Sequence, residues 1–305
     1  MRALRYKVAG EGVYFLRTGL TDGLVGWEEE ERGYLWGLLE RVADFSGVEL
    51  LERVVLGREV LLLVAVVPWL GGEGEDGELV RRHRRLYGEA KGFLGMTTEE
   101  LEEALAGPRA ASVRGRLLAR MHDISPFMKT LKQRFSVWYN QRHDRRGTLW
   151  RDRFESSLLE NREEVVSYYR AYLRTAPVRS EEVEEPGDYR WSTAHGVGQE
   201  WWRVLSPWQA QVLKAADRIL ESVVQNLVLY PATRRRDEPC PHEPAWPEHL
   251  CRGGIVGTEP FVRHHTTRWR GRDTSVPLRD LAADARLLAA RPYRRRGPPR
   301  PGQSP

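Results

Sequence analysis

Residues 48–67 read VELLERVVLGREVLLLVAVV. Leu50 to Leu56 and Val60 to Val67 are two β-rich runs separated by Gly57-Arg58, a pattern that predicts a tight hairpin. The second run is almost wholly apolar. A strand of that kind is buried on both faces, so it belongs in the centre of a sheet and not at its margin.

Upstream, Gly12 to Leu20 (GVYFLRTGL) predicts a first strand. Trp27 to Phe45 carries Leu35, Leu38, Leu39, Val42 and Phe45 at helical spacing. Downstream, Gly71 to Gly77 (GGEGEDG) is a break followed by charged helical segments, Glu78 to Leu94 and Thr98 to Met121. They read as an inserted arm, with a Thr97/Glu100 capping box and an interruption at Gly107-Pro108. Ser125-Pro126 then opens a helix with Ser as cap, and Phe127, Leu131, Phe135 and Trp138 form its apolar stripe. That helix ends near His143 to Gly147, Leu149 to Leu159 predicts another strand, and Asn161 with Glu164 caps a helix through Tyr172 that Pro177 stops.

Strand, helix, hairpin, arm, helix, strand, helix is the order of a ferredoxin-like α+β fold. The expectation is an antiparallel sheet with helices on one face, a helical insertion over about residues 78–122, and a helical C-terminal extension. Residues 1–192 would form the main domain and 193–230 an accessory helix opened by Ser206-Pro207. An irregular extension over 231–291 and a disordered basic tail over 292–305 would follow.

The chain of 305 residues is long enough for a sizeable core and carries two cysteines, which argues against a secreted disulfide scaffold. No apolar run approaches bilayer length, and the opening residues lead into no signal-peptide core, so a cytoplasmic protein is expected. Net charge is a modest +5, but its distribution is uneven. Glu28 to Glu31 and Glu73 to Glu78 are acidic, whereas Lys129 to Arg153 is densely basic. Such a stripe points to a polyanion, against the plainer reading of a solvated surface. Lys129, Lys132, Arg134, Arg142, Arg145, Arg146, Arg151 and Arg153 would contact phosphates, and Trp138, Tyr139 and Trp150 are candidates to stack unpaired bases.

Two other constellations invite a ligand and fit it poorly. Cys240-x-His242 and His249-x-Cys251 lack the two-to-four-residue spacing of common zinc modules. Gly253 to Thr258 lacks the lysine of a phosphate loop and reads as a turn that positions Phe261.

Several motifs occur together and in order: Arg120-Met121-His122-Asp123-Ile124-Ser125, Lys132-Gln133-Arg134-Phe135, Trp138-Tyr139-Asn140, Arg146-Gly147-Thr148-Leu149-Trp150, Ala171-Tyr172-Leu173-Arg174-Thr175-Ala176-Pro177-Val178-Arg179 and Asp188-Tyr189-Arg190-Trp191. With their spacing, the chain from about Tyr6 to Trp191 resembles the REP-associated tyrosine transposases, within the single-tyrosine HUH nucleases. The resemblance implies cleavage of single-stranded DNA beside a hairpin, with a tyrosine as nucleophile and magnesium or manganese on the phosphate. Tyr172 falls on the nucleophile position and Arg179 on a DNA-binding one. The two metal-binding histidines map onto Glu59 and Leu61, and the metal-binding asparagine onto Ala176.

Leu61 and Ala176 carry no donor atoms, and a lone Glu59 holds magnesium weakly, so no metal or other cofactor is expected. Two readings follow. One is a DNA-binding protein that holds hairpin or single-stranded DNA without cutting it. The other is an active transposase that forms a 5′-phosphotyrosine at a rebuilt site. DNA is the partner in both, no membrane is involved, and a homodimer is left open.

Overall fold

The computed structural model describes residues 7–8, 11–68, 75–151, 153–196, 254–270, 278–282 and 287–290. The accessory helix expected from Ser206, the Cys240 to Cys251 segment and the basic tail lie outside them.

The hairpin quoted first is where the sequence places it. β2 (Val48–Val55) and β3 (Glu59–Val66) pair antiparallel around Gly57 and Arg58, with a register shift between Leu50 and Glu52. β1 (Gly12–Gly19) pairs with β3 from Gly12/Val66 to Gly19/Glu59 and, on its other side, with β4 (Glu155–Leu159). Val60 to Val64 are buried without exception, as expected of a strand with neighbours on both sides and helices on both faces. The order β2-β3-β1-β4 is that of a ferredoxin-like sheet, and the α+β class is borne out.

Two helices cover one face. α1 (Glu29–Ser46) starts where the Glu31 carboxylate accepts the Glu28 amide, and it ends at Gly47, whose φ of 60° is the left-handed conformation of a helix stop. α5 (Ile124–Arg142) packs along it. Tyr34 lies flat on Trp138 with ring centres 3.9 Å apart, and Trp27 meets Phe135 edge-on at 5.8 Å. The inserted arm is three short helices, α2 (Glu75–Tyr87), α3 (Thr98–Ala106) and α4 (Ala110–Leu118). Its capping box at Thr97 and its break at Gly107 are where the sequence predicts them. Arg134 of α5 ties the arm down, donating to the Leu86 carbonyl at 3.2 Å and lying over the Tyr87 ring.

α6 (Glu163–Arg174) and the single turn α7 (Ala176–Arg179) lie on the opposite face, which corrects the expectation of helices on one face only. Alternation along the strands proves the point. Arg53 of β2 donates to the Trp36 carbonyl on α1, whereas its neighbour Glu52 points the other way and is bound by Arg174 of α6.

Local capping differs from the sequence reading in two places. Asp123, not Ser125, caps α5, because its carboxylate accepts the Ser125 amide at 2.7 Å and so satisfies the first turn one step earlier. α6 has Arg162 as its N-cap, with no side-chain cap bond, one residue later than the Asn161 cap expected. The strand expected from Leu149 is also shorter, with only an isolated bridge at Trp150 before β4 begins at Glu155.

The segment from Tyr189 to Thr193 closes the outer margin of β2. Val55 donates to the Trp191 carbonyl, Thr193 to that of Arg53, and the Tyr189 hydroxyl to that of Val55. At the other side Gly254–Gly257, expected as a turn, forms β5 and runs parallel to β4. α8 (Glu259–Arg270) follows, then β6 (Leu278–Ala282) and β7 (Leu287–Ala290), giving a seven-stranded mixed sheet. The 231–291 stretch is therefore not irregular throughout, and the sheet is not wholly antiparallel. Ile255 and Val256, fully buried between glycines, make too short a run to announce a strand, and their pairing partner lies far back in the chain.

Candidate DNA-binding surface and the Tyr172 face

The two candidate regions lie on different elements. The first is the basic helix and loop of α5 and residues 143–153. Asn140 organises the loop: its amide donates to the Gly147 carbonyl at 3.1 Å, and its carbonyl oxygen accepts from Arg145 at 2.9 Å. Arg145 also donates to the Thr148 carbonyl, so its guanidinium is a brace across the loop. His143 meets the buried carboxylate of Glu31 at 2.8 Å, which anchors the loop to the start of α1. Gly147 has a φ of 102°, a conformation that side-chain-bearing residues rarely adopt.

These braces sort the predicted phosphate contacts. Lys129, Arg142, Arg146, Arg151 and Arg153 are exposed. Arg142 is paired with Glu30 and lies over Trp138. Lys129, Arg146, Arg151 and Arg153 make no side-chain ion pair or hydrogen bond among the described residues. Lys132 lies over the Trp150 ring, and Arg134 serves the arm; both are half-buried. None of the three aromatic residues proposed as base platforms is offered to solvent as a face. Trp138 is stacked on Tyr34, Tyr139 is buried beneath Arg145 and His143, and Trp150 is buried with its indole N–H donating to Ser136 and the Lys132 carbonyl. Trp138 is expected in the core from its place on the apolar stripe of α5, and packing takes Tyr139 and Trp150 as well.

The second region is the sheet face beneath α6. Tyr172 is buried there, its ring edge-on to Phe15 of β1 at 5.9 Å. Arg179 covers it from the other side, 4.0 Å from the ring centre, and donates to the Tyr172 carbonyl and the Thr175 hydroxyl. Phe15 pairs in register with Leu63, and Arg17 with Leu61, so Arg17, Glu59 and Leu61 share the face that carries α6.

Glu59, Leu61 and Ala176, the residues onto which the resemblance maps metal ligands, do not fit a divalent cation. Glu59 is gripped by Arg17 through both carboxylate oxygens, at 2.5 and 3.0 Å. Leu61 and Ala176 are buried and have no donor atoms in their side chains. Among the described residues no group of three His, Cys, Asp or Glu side chains is placed to hold a metal ion.

Sequence reasoning missed Arg17. A β-carbon on Gly19 would stand 3.5 Å from Glu59 Cγ and 3.9 Å from Arg151 Nη2, so both side chains lie over this glycine. Arg151 thus faces the Glu59 side of the sheet although it was read as part of the α5 loop. Only the β1/β3 register could have brought Arg17 and Glu59 together, and the β1 pattern read alone shows Arg17 as one polar residue in an apolar strand.

Among solved structures with a similar fold is the following one. It is described as a REP-associated tyrosine transposase bound to a REP hairpin. The likeness has a TM-score of 0.39 and 15% identity, over 68% of this chain and 89% of that one. No family model matches the chain. No curated protein matches it. Among the described residues no helix is long and apolar enough to cross a membrane.

Proposed function

We propose that this chain binds DNA, hairpin or single-stranded, through the loop that follows α5, and that it does so without cutting the strand. The observation that carries the reading is the division of labour in that loop. Arg145 is consumed in bracing Asn140 and Thr148, and the brace presents Arg146 outward, with Arg151 and Arg153 exposed just beyond. A braced loop that displays guanidinium groups with no side-chain partner among the described residues suits phosphates, which bind strongly to a donor fork.

The absence of cutting rests on the other face. A phenol attacks a phosphodiester only when a cation or base assists it. Tyr172 is instead buried between Phe15 and Arg179, and the positions that would hold a cation offer one carboxylate already bound to Arg17.

The test is fluorescence anisotropy on a labelled hairpin with single-stranded flanks, across a range of salt. Binding should weaken steeply as salt rises, and Arg146→Ala should reduce affinity roughly 5-fold. No binding at low salt would sink the proposal. A covalent protein–DNA adduct formed with manganese, and lost in Tyr172→Phe, would show instead that the strand is cut.

A further inference from the structure

We propose that the exposed ridge of α5, formed by Lys129, Gln133, Val137 and Gln141, lies in the major groove of the duplex stem of the bound DNA, where Gln133 and Gln141 read base edges. The proposal rests on the DNA-binding reading above and deepens it, because it names the part of the DNA that carries sequence information and the side chains that meet it.

Spacing defines the ridge. Residues four apart lie on one side of a helix, so these side chains form a single file along α5, and all of them are exposed. Val137, in the middle of the file, keeps 52% of its surface open to solvent. The remaining exposed residue of the helix is Arg142, at its end. α5 has no acidic residue among its 19 positions. Its packing neighbour α1 is the opposite: the residues it exposes are Glu29, Glu30 and Glu40 and nothing else. One helix of the layer thus presents carboxylates to water, and the other presents amides and an apolar side chain between basic groups. Lys132 and Arg134 stand on either side of the ridge, half-buried, the first over the Trp150 ring and the second over the Tyr87 ring. The nearby acids lie at its ends. Asp123 at the N-cap pairs with Lys7, Glu30 pairs with Arg142, and Asp144 is exposed in the loop.

Charge complementarity selects a polyanion for this face, and the two glutamines select its bases. A surface that only has to stay in water is served by charge, as on α1. A neutral amide instead matches the N7 acceptor and N6 amino donor of adenine in one plane, and an apolar side chain fits against a thymine methyl. The dimensions agree. A helix with its side chains is about 10–12 Å across, and the major groove of B-form DNA is about 12 Å wide. Lys129 to Gln141 spans roughly 18 Å of helix axis, about five base-pair steps. Asn140, next to Gln141, holds the following loop through Gly147 and Arg145. The loop that carries Arg146 is therefore fixed at the end of the ridge, beside the phosphates that border the groove.

The experiment uses the intact protein and a labelled DNA hairpin with single-stranded flanks and a randomised stem of about 10 base pairs, one helical turn. Bound hairpins are recovered and sequenced, and affinities for recovered and discarded stems are measured by anisotropy across salt. We expect the wild type to select base pairs within the stem. Gln133→Ala and Gln141→Ala should each lose about 5-fold or more in discrimination at one base pair. Neither should change the slope of log affinity against log salt, since an amide displaces no counterion. Arg146→Ala should weaken every stem alike and lower that slope by about 0.9. An RNA stem should bind more weakly than a DNA stem, because the deep, narrow major groove of A-form RNA does not admit side chains.

Unchanged stem selection in both glutamine variants, or a wild type that selects no stem sequence, would overturn the ridge, while steep salt dependence would keep the DNA-binding reading intact. Equal affinity for the single-stranded flanks without a stem, or for an RNA stem, would overturn it as well. Failure of the wild type to bind any hairpin at low salt would remove the reading on which the proposal rests. Circular dichroism of each variant confirms that the fold is kept.

Discussion

The guanidinium of Arg179 lies 4.0 Å from the centre of the Tyr172 ring and donates to that residue's own carbonyl at 2.6 Å. One side chain thus covers the aromatic face and joins the Thr175 hydroxyl as a donor to the Tyr172 carbonyl at the end of α6. Arg179→Ala should lower stability by about 1–2 kcal/mol, the sum of a partly buried cation–π contact and a lost charged hydrogen bond. Urea denaturation checks the size. Tyr172→Phe keeps the ring and should leave hairpin affinity within about 2-fold of the wild type; a larger loss would mean that the hydroxyl touches DNA.

Glu52 is the most deeply buried acid on the α6 face, and Arg174 donates to it at 2.5 and 3.1 Å. Removing one partner of such a pair strands the other charge. Glu52→Ala should therefore cost about 3 kcal/mol, whereas Glu52→Leu with Arg174→Met should recover most of that loss. Equal destabilisation in the single and double variants would contradict this account.

Gly47 stops α1 with a φ of 60°, and a β-carbon there would stand 2.2 Å from Cε1 of His122. His122 cannot easily withdraw, because its amide donates to the Ser46 carbonyl and its Nδ1 bonds the Val67 carbonyl. Gly47→Ala combines left-handed backbone strain with a clash and should lower stability by more than about 2 kcal/mol. A thermal melt within a degree or two of the wild type would refute it.

Two histidines set an acid limit. Burial pushes His83, bonded to Thr98 in the arm, below its ordinary value of 6.5, with Glu99 opposing weakly. Burial likewise lowers His122, where the Val67 carbonyl opposes and Arg82 adds to the shift. Below 6.5 the unfolded chain takes up protons that the folded chain refuses, so stability falls with pH from there toward the lowered folded values. Urea midpoints should hold steady above about pH 7 and decline by about pH 5.5, with a shallower decline in His83→Gln. A pH-independent midpoint over that range would rule the idea out.

The ferredoxin-like core was legible because its signals are local. The hairpin at Gly57-Arg58, the apolar β3 and the stripes of α1 and α5 are each written in a few consecutive residues. Caps were less legible, since Asp123, Ser125 and Pro126 all favour a helix start and only geometry chooses among them. The Tyr172 face was legible only in part. Resemblance pointed to Glu59, Leu61, Tyr172 and Ala176, but strand register brings Arg17 to Glu59 and a loop return brings Arg151 over Gly19, neither of which leaves a mark in local sequence. Tyr139 and Trp150 misled for the opposite reason, because an aromatic residue that packs and one that stacks on a base look the same in a sequence.

The pairing of β5 with β4 joins strands far apart in the chain. During synthesis the first four strands emerge long before Gly254 does, so β4 spends that time with unpaired backbone groups along its outer side, a template for any other strand nearby. A chain ending near residue 196 would keep that liability permanently. It should self-associate more strongly than the full chain, so the late glycine-flanked strand shields everything made before it.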